Sequence, residues 1–229
     1  MRTLETKQLF KQAFRAAIRE KSAVLDEAAF PAYAHRNPLI DHIFWGRLAA
    51  AERYLAPRSL GTVLDFGCGS GVMSYIISGF AQRVVATDIE PASFHRMQGA
   101  VDFPSNIVFA NVLELASETY RRSFDAIIAL DVLEHIEDLT GILRQFQTLL
   151  RPTGVVVISG PTENALYRLG RWIAGERFTG DYHVSNIRKV EAECCRHGSV
   201  QLIATLYPVL PLFKVFSLQF DEKQTPIRH

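Results

Sequence analysis

Apolar positions in the first quarter of the chain recur with a helical period. Over residues 3–20, Phe10, Phe14, Ala17 and Ile18 fall on one stripe, while Lys7, Lys11, Arg15 and Arg19 fall four apart on another. The spacing predicts an amphipathic helix. A second is predicted over 39–55, with Ile43, Trp45, Leu48 and Leu55 as its apolar positions. Between them, Phe30-Pro31-Ala32-Tyr33-Ala34-His35-Arg36-Asn37-Pro38 must be irregular, since each proline biases its predecessor away from helix.

From residue 62 the pattern changes to short, near-continuous apolar runs. Thr62–Phe66, Arg83–Thr87, Ile107–Ala110, Phe124–Leu130 and Val155–Ser159 read as strands. They alternate with predicted helices over 70–80, 92–100 and 138–150, the last ended by Arg151-Pro152-Thr153-Gly154. Strands this apolar need cover on both faces, which implies a parallel sheet between helices. Residues 161–184 interrupt the pattern with several glycines around a short apolar helix, Leu166–Ala174. A helix over 185–197 and strands near 199–206 and 213–220 follow, the two strands expected as an antiparallel pair at one edge. The apolar run Leu202 to Phe220 is broken by Pro208, Pro211 and Lys214, so it reads as these strands and not as a membrane span.

Composition narrows the partners. The 229 residues suit one domain with additions, and 48% hydrophobic against 21% charged residues is too apolar for disorder. A formal charge of +1 leaves no electrostatic footprint for nucleic acid, so none is expected as a partner. Three cysteines, two of them adjacent at Cys194 and Cys195, form no spaced framework and point to a reducing compartment. Met1-Arg2-Thr3-Leu4-Glu5 lacks an apolar signal region, so a cytoplasmic location is expected.

The most informative segment is Val63-Leu64-Asp65-Phe66-Gly67-Cys68-Gly69-Ser70-Gly71, a buried strand running into a glycine loop that opens a helix. Glycine lets a ligand approach the backbone closely. Asp88 ends the next strand, where a carboxylate can accept hydrogen bonds from both hydroxyls of an adenosine ribose. A dinucleotide fingerprint wants glycine or alanine three residues after the second glycine, and Val72 stands there. Asp65, two residues before the first glycine, would repel a pyrophosphate but favour the cationic amino group of a methionine moiety.

Here the chain resembles the class I S-adenosylmethionine-dependent methyltransferases, over roughly residues 60–160. Val63–Gly71 is similar to that family's first motif, and Val84-Val85-Ala86-Thr87-Asp88 to its second strand with the ribose acid. Phe124 through His135 resembles the fourth-strand motif, and Leu149 through Ile158 the fifth, with Thr153-Gly154 in place of the usual Gly-Gly. The family commonly places Asp after the third strand, where this chain has Asn111, whose amide oxygen can accept the same adenine hydrogen bond.

The resemblance implies an α/β fold with a three-layer, Rossmann-like sheet of seven mostly parallel strands, an antiparallel last strand and a helical N-terminal cap. The expected division is a cap over 1–58 and a cofactor domain over 59–229 with a lid insertion at 161–184. The implied cofactor is S-adenosylmethionine, held by Asp65, Gly67, Cys68, Gly69, Gly71, Asp88, Ile89, Asn111, Val112 and Leu130, with Tyr33 closing from the N-terminal side.

For the chemistry, Asp131-Val132-Leu133-Glu134-His135 and Asp181-Tyr182-His183 supply the candidates. His135 is a candidate general base, the role imidazole side chains most often fill, and His183 follows the expected lid; either could instead tether its loop. Asp131, Glu134 and His135 offer ligands for a divalent metal, with His183 as a fourth, like a set known in quinone-biosynthesis and RNA 2′-O-methyltransferases. Asp131 is shorter than the glutamate of that set, so the expected site is metal-free. The expected acceptor is a small molecule or lipid-linked metabolite methylated on oxygen or nitrogen. The basic stripe on the first helix suits weak contact with an anionic membrane, or simply a solvated face. The rival readings are a catalytically silent S-adenosylmethionine-binding module and, further off, a nicotinamide oxidoreductase.

Overall fold

The computed structural model describes residues 2–19, 38–162, 186–206 and 212–221. Tyr33, His183, the helix expected at Leu166–Ala174 and nearly all of the expected lid at 161–184 lie outside them. Two long helices, α1 (Arg2–Arg19) and α2 (Pro38–Leu55), precede the sheet. Then come β1 (Leu60–Phe66), α3 (Val72–Ile77), β2 (Ala81–Thr87), α4 (Ala92–Ala100), β3 (Ile107–Phe109) and β4 (Phe124–Leu130). After these follow α5 (Leu139–Leu149), β5 (Leu150–Pro161), α6 (Ile187–Cys194), β6 (Gly198–Leu206) and β7 (Phe213–Phe220).

The seven strands lie in the order β3-β2-β1-β4-β5-β7-β6. β1 to β5 run parallel, and β7 is antiparallel to both β5 and β6. Alternation along each strand feeds two cores. Val63, Val84, Ala126 and Val157 face α1 to α4, while Leu64, Val85, Ile127 and Val156 face α5 and α6. This is the Rossmann-like architecture expected.

α5 ends one residue early and β5 starts five early. Leu150 pairs with Phe124 across an irregularity in β4, and the segment up to Gly154 wraps back as strand. A Cβ on Gly154 would sit 2.7 Å from a Leu150 methyl, a closeness that only the missing side chain permits.

The N-terminal helices are tied down by polar as well as apolar contacts. Phe10 and Phe14 are fully buried, and Phe10 packs edge-on against Tyr75 and Phe103 at ring separations of 5.4 and 5.9 Å. The buried Glu52 of α2 accepts hydrogen bonds from the Arg2 N–H (2.6 Å) and Thr3 N–H (3.1 Å), capping α1 from a neighbouring helix. Lys7 and Lys11 both pair with Asp41, so half of the basic stripe is committed to α2. No helix among the described residues is long and apolar enough to cross a membrane.

Candidate active site

β1 and β4 are the neighbours at which the winding of the sheet reverses, and ligands of open α/β sheets bind outside the carboxyl ends of such strands. A cavity of about 620 Å³ opens there. Its wall is built from Asp65–Ser70, Thr87–Glu90 and Leu130–Val132, with Val112, His135 and Ile136, and with Arg47 and Leu48 reaching in from α2.

Local geometry explains why the loop needs its glycines. Gly67, Gly69 and Gly71 have φ of 72°, 51° and 75°, a region that side chains rarely adopt. The Gly67 and Cys68 N–H groups donate to the Thr87 carbonyl at 2.9 and 3.0 Å, pinning the loop to the end of β2. A Cβ on Gly67 would fall 2.4 Å from a Val132 methyl, and one on Gly71 would meet Phe94 and Phe103 at under 3 Å. A Cβ on Gly69 would meet nothing within 4 Å. Gly67 and Gly71 are thus tight because protein packs against them, and Gly69 is open toward the cavity.

Two acids flank this loop. Asp88 accepts from the Gly69 N–H (2.7 Å) through one oxygen and from the Glu90 N–H (2.9 Å) through the other. Asp65 is 3% exposed and accepts from the Ser74 hydroxyl. Burial, reinforced by the nearby Asp88 charge, pushes its pKa up to about 7 against the Ser74 hydrogen bond. The same burial, with Asp65 and Asp88 beside it, raises the Cys68 thiol, which makes it a small wall residue and no nucleophile.

Of the residues singled out from sequence, Asp65, Gly67, Cys68, Gly69, Asp88, Ile89, Val112, Leu130 and His135 line the cavity. Gly71 and Asn111 do not. Gly71 lies behind the loop, and the Asn111 amide oxygen accepts from the Leu113 N–H at 2.9 Å, capping a 3₁₀ turn over Val112–Ala116. The structure also separates Asp131, Glu134 and His135. Glu134 is 1% exposed while His135 is exposed on the same 3₁₀ turn, and Asp131 is engaged by Arg47 and Ser159. No three His, Cys, Asp or Glu side chains among the described residues are grouped to hold a metal ion. Cys194 is buried, which pushes its thiol up to about 12, while Cys195 is exposed.

Arg47 is the wall residue that sequence reading missed. It is 3% exposed and forms an ion pair with Asp131. Its guanidinium lies 4.6 Å from the centre of the Phe44 ring and 5.7 Å from that of Phe213. A signal existed: four residues after Ile43 and next to Leu48, Arg47 is a lone cation on the apolar face of α2.

The sequence from α2 to just beyond α6, residues 39–196, matches the family model described as a methyltransferase domain. The chain belongs to the methyltransferase-domain family. Ubiquinone biosynthesis O-methyltransferases from Xanthomonas axonopodis pv. citri (strain 306) and Xanthomonas oryzae pv. oryzae (strain PXO99A) are each 34% identical over 102 residues. That match covers 42% of this chain and 41% of each relative, so this methyltransferase-domain chain spans about two-fifths of the length of those curated relatives. The N-methyltransferase NodS from Bradyrhizobium japonicum WM9, solved with S-adenosyl-L-homocysteine, shares the fold at a TM-score of 0.62 and 17% identity, over 92% of this chain and 99% of NodS. The PH0226 protein from Pyrococcus horikoshii OT3 does so at 0.63 and 17% identity, over 83% and 96% of the two chains.

Proposed function

We propose that this protein transfers the methyl group of S-adenosylmethionine to an oxygen or nitrogen of a small-molecule or lipid-linked metabolite. One observation carries the reading. A loop with three glycines at positive φ, open at Gly69 and flanked by Asp65 and Asp88, lines a cavity large enough for such a cofactor. When bound, S-adenosylmethionine supplies a methyl group already activated by its sulfonium sulfur.

In this reading Asp88, whose oxygens keep lone pairs beyond those used by the loop, accepts from the ribose hydroxyls. Ile89 and Val112 flank the adenine, and Asn111 acts by fixing the turn that brings Val112 to the cavity. Asp65 receives the ammonium group at the cavity floor, with Gly67, Cys68 and Gly69 offering backbone and Leu130 an apolar wall. Gly71 contributes by shaping the loop from behind. His135, exposed at the cavity wall, takes the proton that an oxygen or nitrogen acceptor releases. Beyond that, catalysis is positioning and exclusion of water, to which Tyr33, His183 and residues 161–184 are assigned. The name of the curated relatives favours an oxygen acceptor of the quinone-precursor kind. The three cysteines, two of them adjacent, favour a cytoplasmic setting.

Titration calorimetry with S-adenosylmethionine, S-adenosylhomocysteine and NADH, on wild type and Asp88→Ala, tests this. Binding of the two sulfur compounds, with most affinity lost in the variant, supports the reading. Binding of NADH alone, or of nothing, overturns it. An acceptor screen with and without EDTA then separates an enzyme from a silent binding module, which would turn over no acceptor.

A further inference from the structure

Resting on the cofactor reading above, we propose that Ser74 of α3 is a positioning residue for Asp65, and that binding of the cofactor's ammonium group expels one proton from that acid into solvent.

A carboxylate sealed from water is stable in its ionised form only beside a cation or several donors. Asp65 is 3% exposed, and its donor among the described residues is Ser74, through the hydroxyl at 2.5 Å and, more weakly, the backbone N–H. Ser74 is itself fully buried, near the start of α3. The charged and titratable groups around the acid do not favour its ionised form. Asp88 stands at the end of β2 with its oxygens on the Gly69 and Glu90 N–H groups, and the Cys68 thiol lies in the glycine loop. Elsewhere on the cavity wall, Arg47 of α2 is ion-paired with Asp131 just beyond β4, and Glu90 and His135 complete the set. Burial and the Asp88 charge accordingly keep the acid protonated up to about pH 7, against the pull of the Ser74 hydroxyl.

The ligand supplies the cation that the acid lacks. When the ammonium group arrives, the Asp65 O–H bond breaks, its proton passes to solvent, and the ammonium keeps its own three. A neutral acid and a cation thus become an ion pair and one released proton. Ser74 has two parts in this exchange. Its hydroxyl engages Oδ2 and leaves Oδ1 to the ligand, and by favouring the ionised form it keeps the exchange near neutral pH.

Calorimetry in buffers of different ionisation enthalpy counts the protons released on binding. S-adenosylhomocysteine is compared with 5′-methylthioadenosine, which keeps the nucleoside and sulfur but lacks the amino-acid end. At pH 6 wild type is expected to release close to one proton with S-adenosylhomocysteine and none with methylthioadenosine; at pH 8 almost none is released with either. Asp65→Asn should abolish the release. Ser74→Ala should move the change upward by about one pH unit. S-adenosylhomocysteine then weakens about tenfold at pH 6 but less than about threefold at pH 8, where about half a proton is now released. Ser74→Thr restores a hydroxyl and should return the profile towards wild type. Heats independent of buffer at pH 6, equal release with both ligands, or release that survives Asp65→Asn overturns the proposal. So does a Ser74→Ala protein that binds both ligands more weakly to the same degree at every pH, which would make the serine structural. The wild-type count needs no variant and decides the matter should Ser74→Ala not fold. A wild type that binds neither ligand overturns the cofactor reading itself, a failure distinct from binding without proton release.

Discussion

Asp65 shows how much a single buried group can reveal. Its pKa lies at about 7 where an exposed aspartate has 3.8, so between those values the folded chain holds a proton that the unfolded chain has released. Stability from this group is therefore full below about pH 4 and is lost as pH rises through about 7. Asp65→Asn should flatten that slope, making the free variant more stable than wild type at pH 8, with a ceiling of about 4 kcal/mol. It should also weaken S-adenosylmethionine, whose ammonium needs the carboxylate. Thermal melts across pH 5–8 check the first half, and a less stable variant at pH 8 would sink it. The glycines give a second contrast. Gly67→Ala must fit a Cβ against Val132 at positive φ and should cost about 2–4 kcal/mol in denaturant unfolding. Gly69→Ala meets no atom and should cost about 1–2 kcal/mol, yet reduce cofactor affinity at least tenfold, because its methyl points into open cavity.

Among the elements, α1 depends on α2 through two polar attachments. Glu52 caps the first turn of α1, and Asp41 gathers Lys7 and Lys11. Burial works to raise the Asp41 pKa, but hydrogen bonds from Lys11 and Lys7 outweigh it and hold the group below 3.8. That contribution is present above the ordinary carboxylate range and is lost only as pH falls through the lowered value. Glu52→Ala should leave buried N–H groups without their acceptor and cost about 1–3 kcal/mol. Hydrogen exchange should then quicken in residues 2–19 before it does in the sheet. Unchanged protection of α1 would mean that Phe10, Phe14 and the Asp41 ion pairs hold it without the cap. These attachments also bear on the membrane expectation. With Lys7 and Lys11 paired to Asp41, half of the stripe read from sequence is already engaged within the chain.

For the whole molecule, cofactor binding should add to stability by mass action. At a hundredfold excess over Kd, S-adenosylhomocysteine should contribute about 3 kcal/mol, a rise in Tm of roughly 6–12 °C. EDTA should leave it unchanged; a drop would reinstate a metal at Asp131 or His135. Much of the fold was legible because parallel strands buried on both faces write themselves as apolar runs, as at Phe124–Leu130, and the helix Ala92–Ala100 also falls where the pattern put it. The start of β5 was not, because Arg151-Pro152-Thr153-Gly154 carries the local signs of a helix stop while its pairing partner, Phe124, lies far back in the chain. Asp65, the glycine loop and Asp88 were readable because local backbone geometry and a strand end place them. Asn111 was read as cavity-lining, but a 3₁₀ turn draws its side chain to Leu113.

By itself, then, the amino-acid sequence determined the alternation of strands and helices, the strand–loop–helix unit at Val63–Gly71 and the acids around it, since each is specified by neighbours within a few residues. Tertiary structure alone decided that Glu52 caps α1 across 49 residues, that Asp131 is held in positive φ by Ser159, and that Arg47 reaches the cavity. Those contacts join residues far apart in the chain, and a charge on an apolar helix face gains its meaning only from what the fold brings against it.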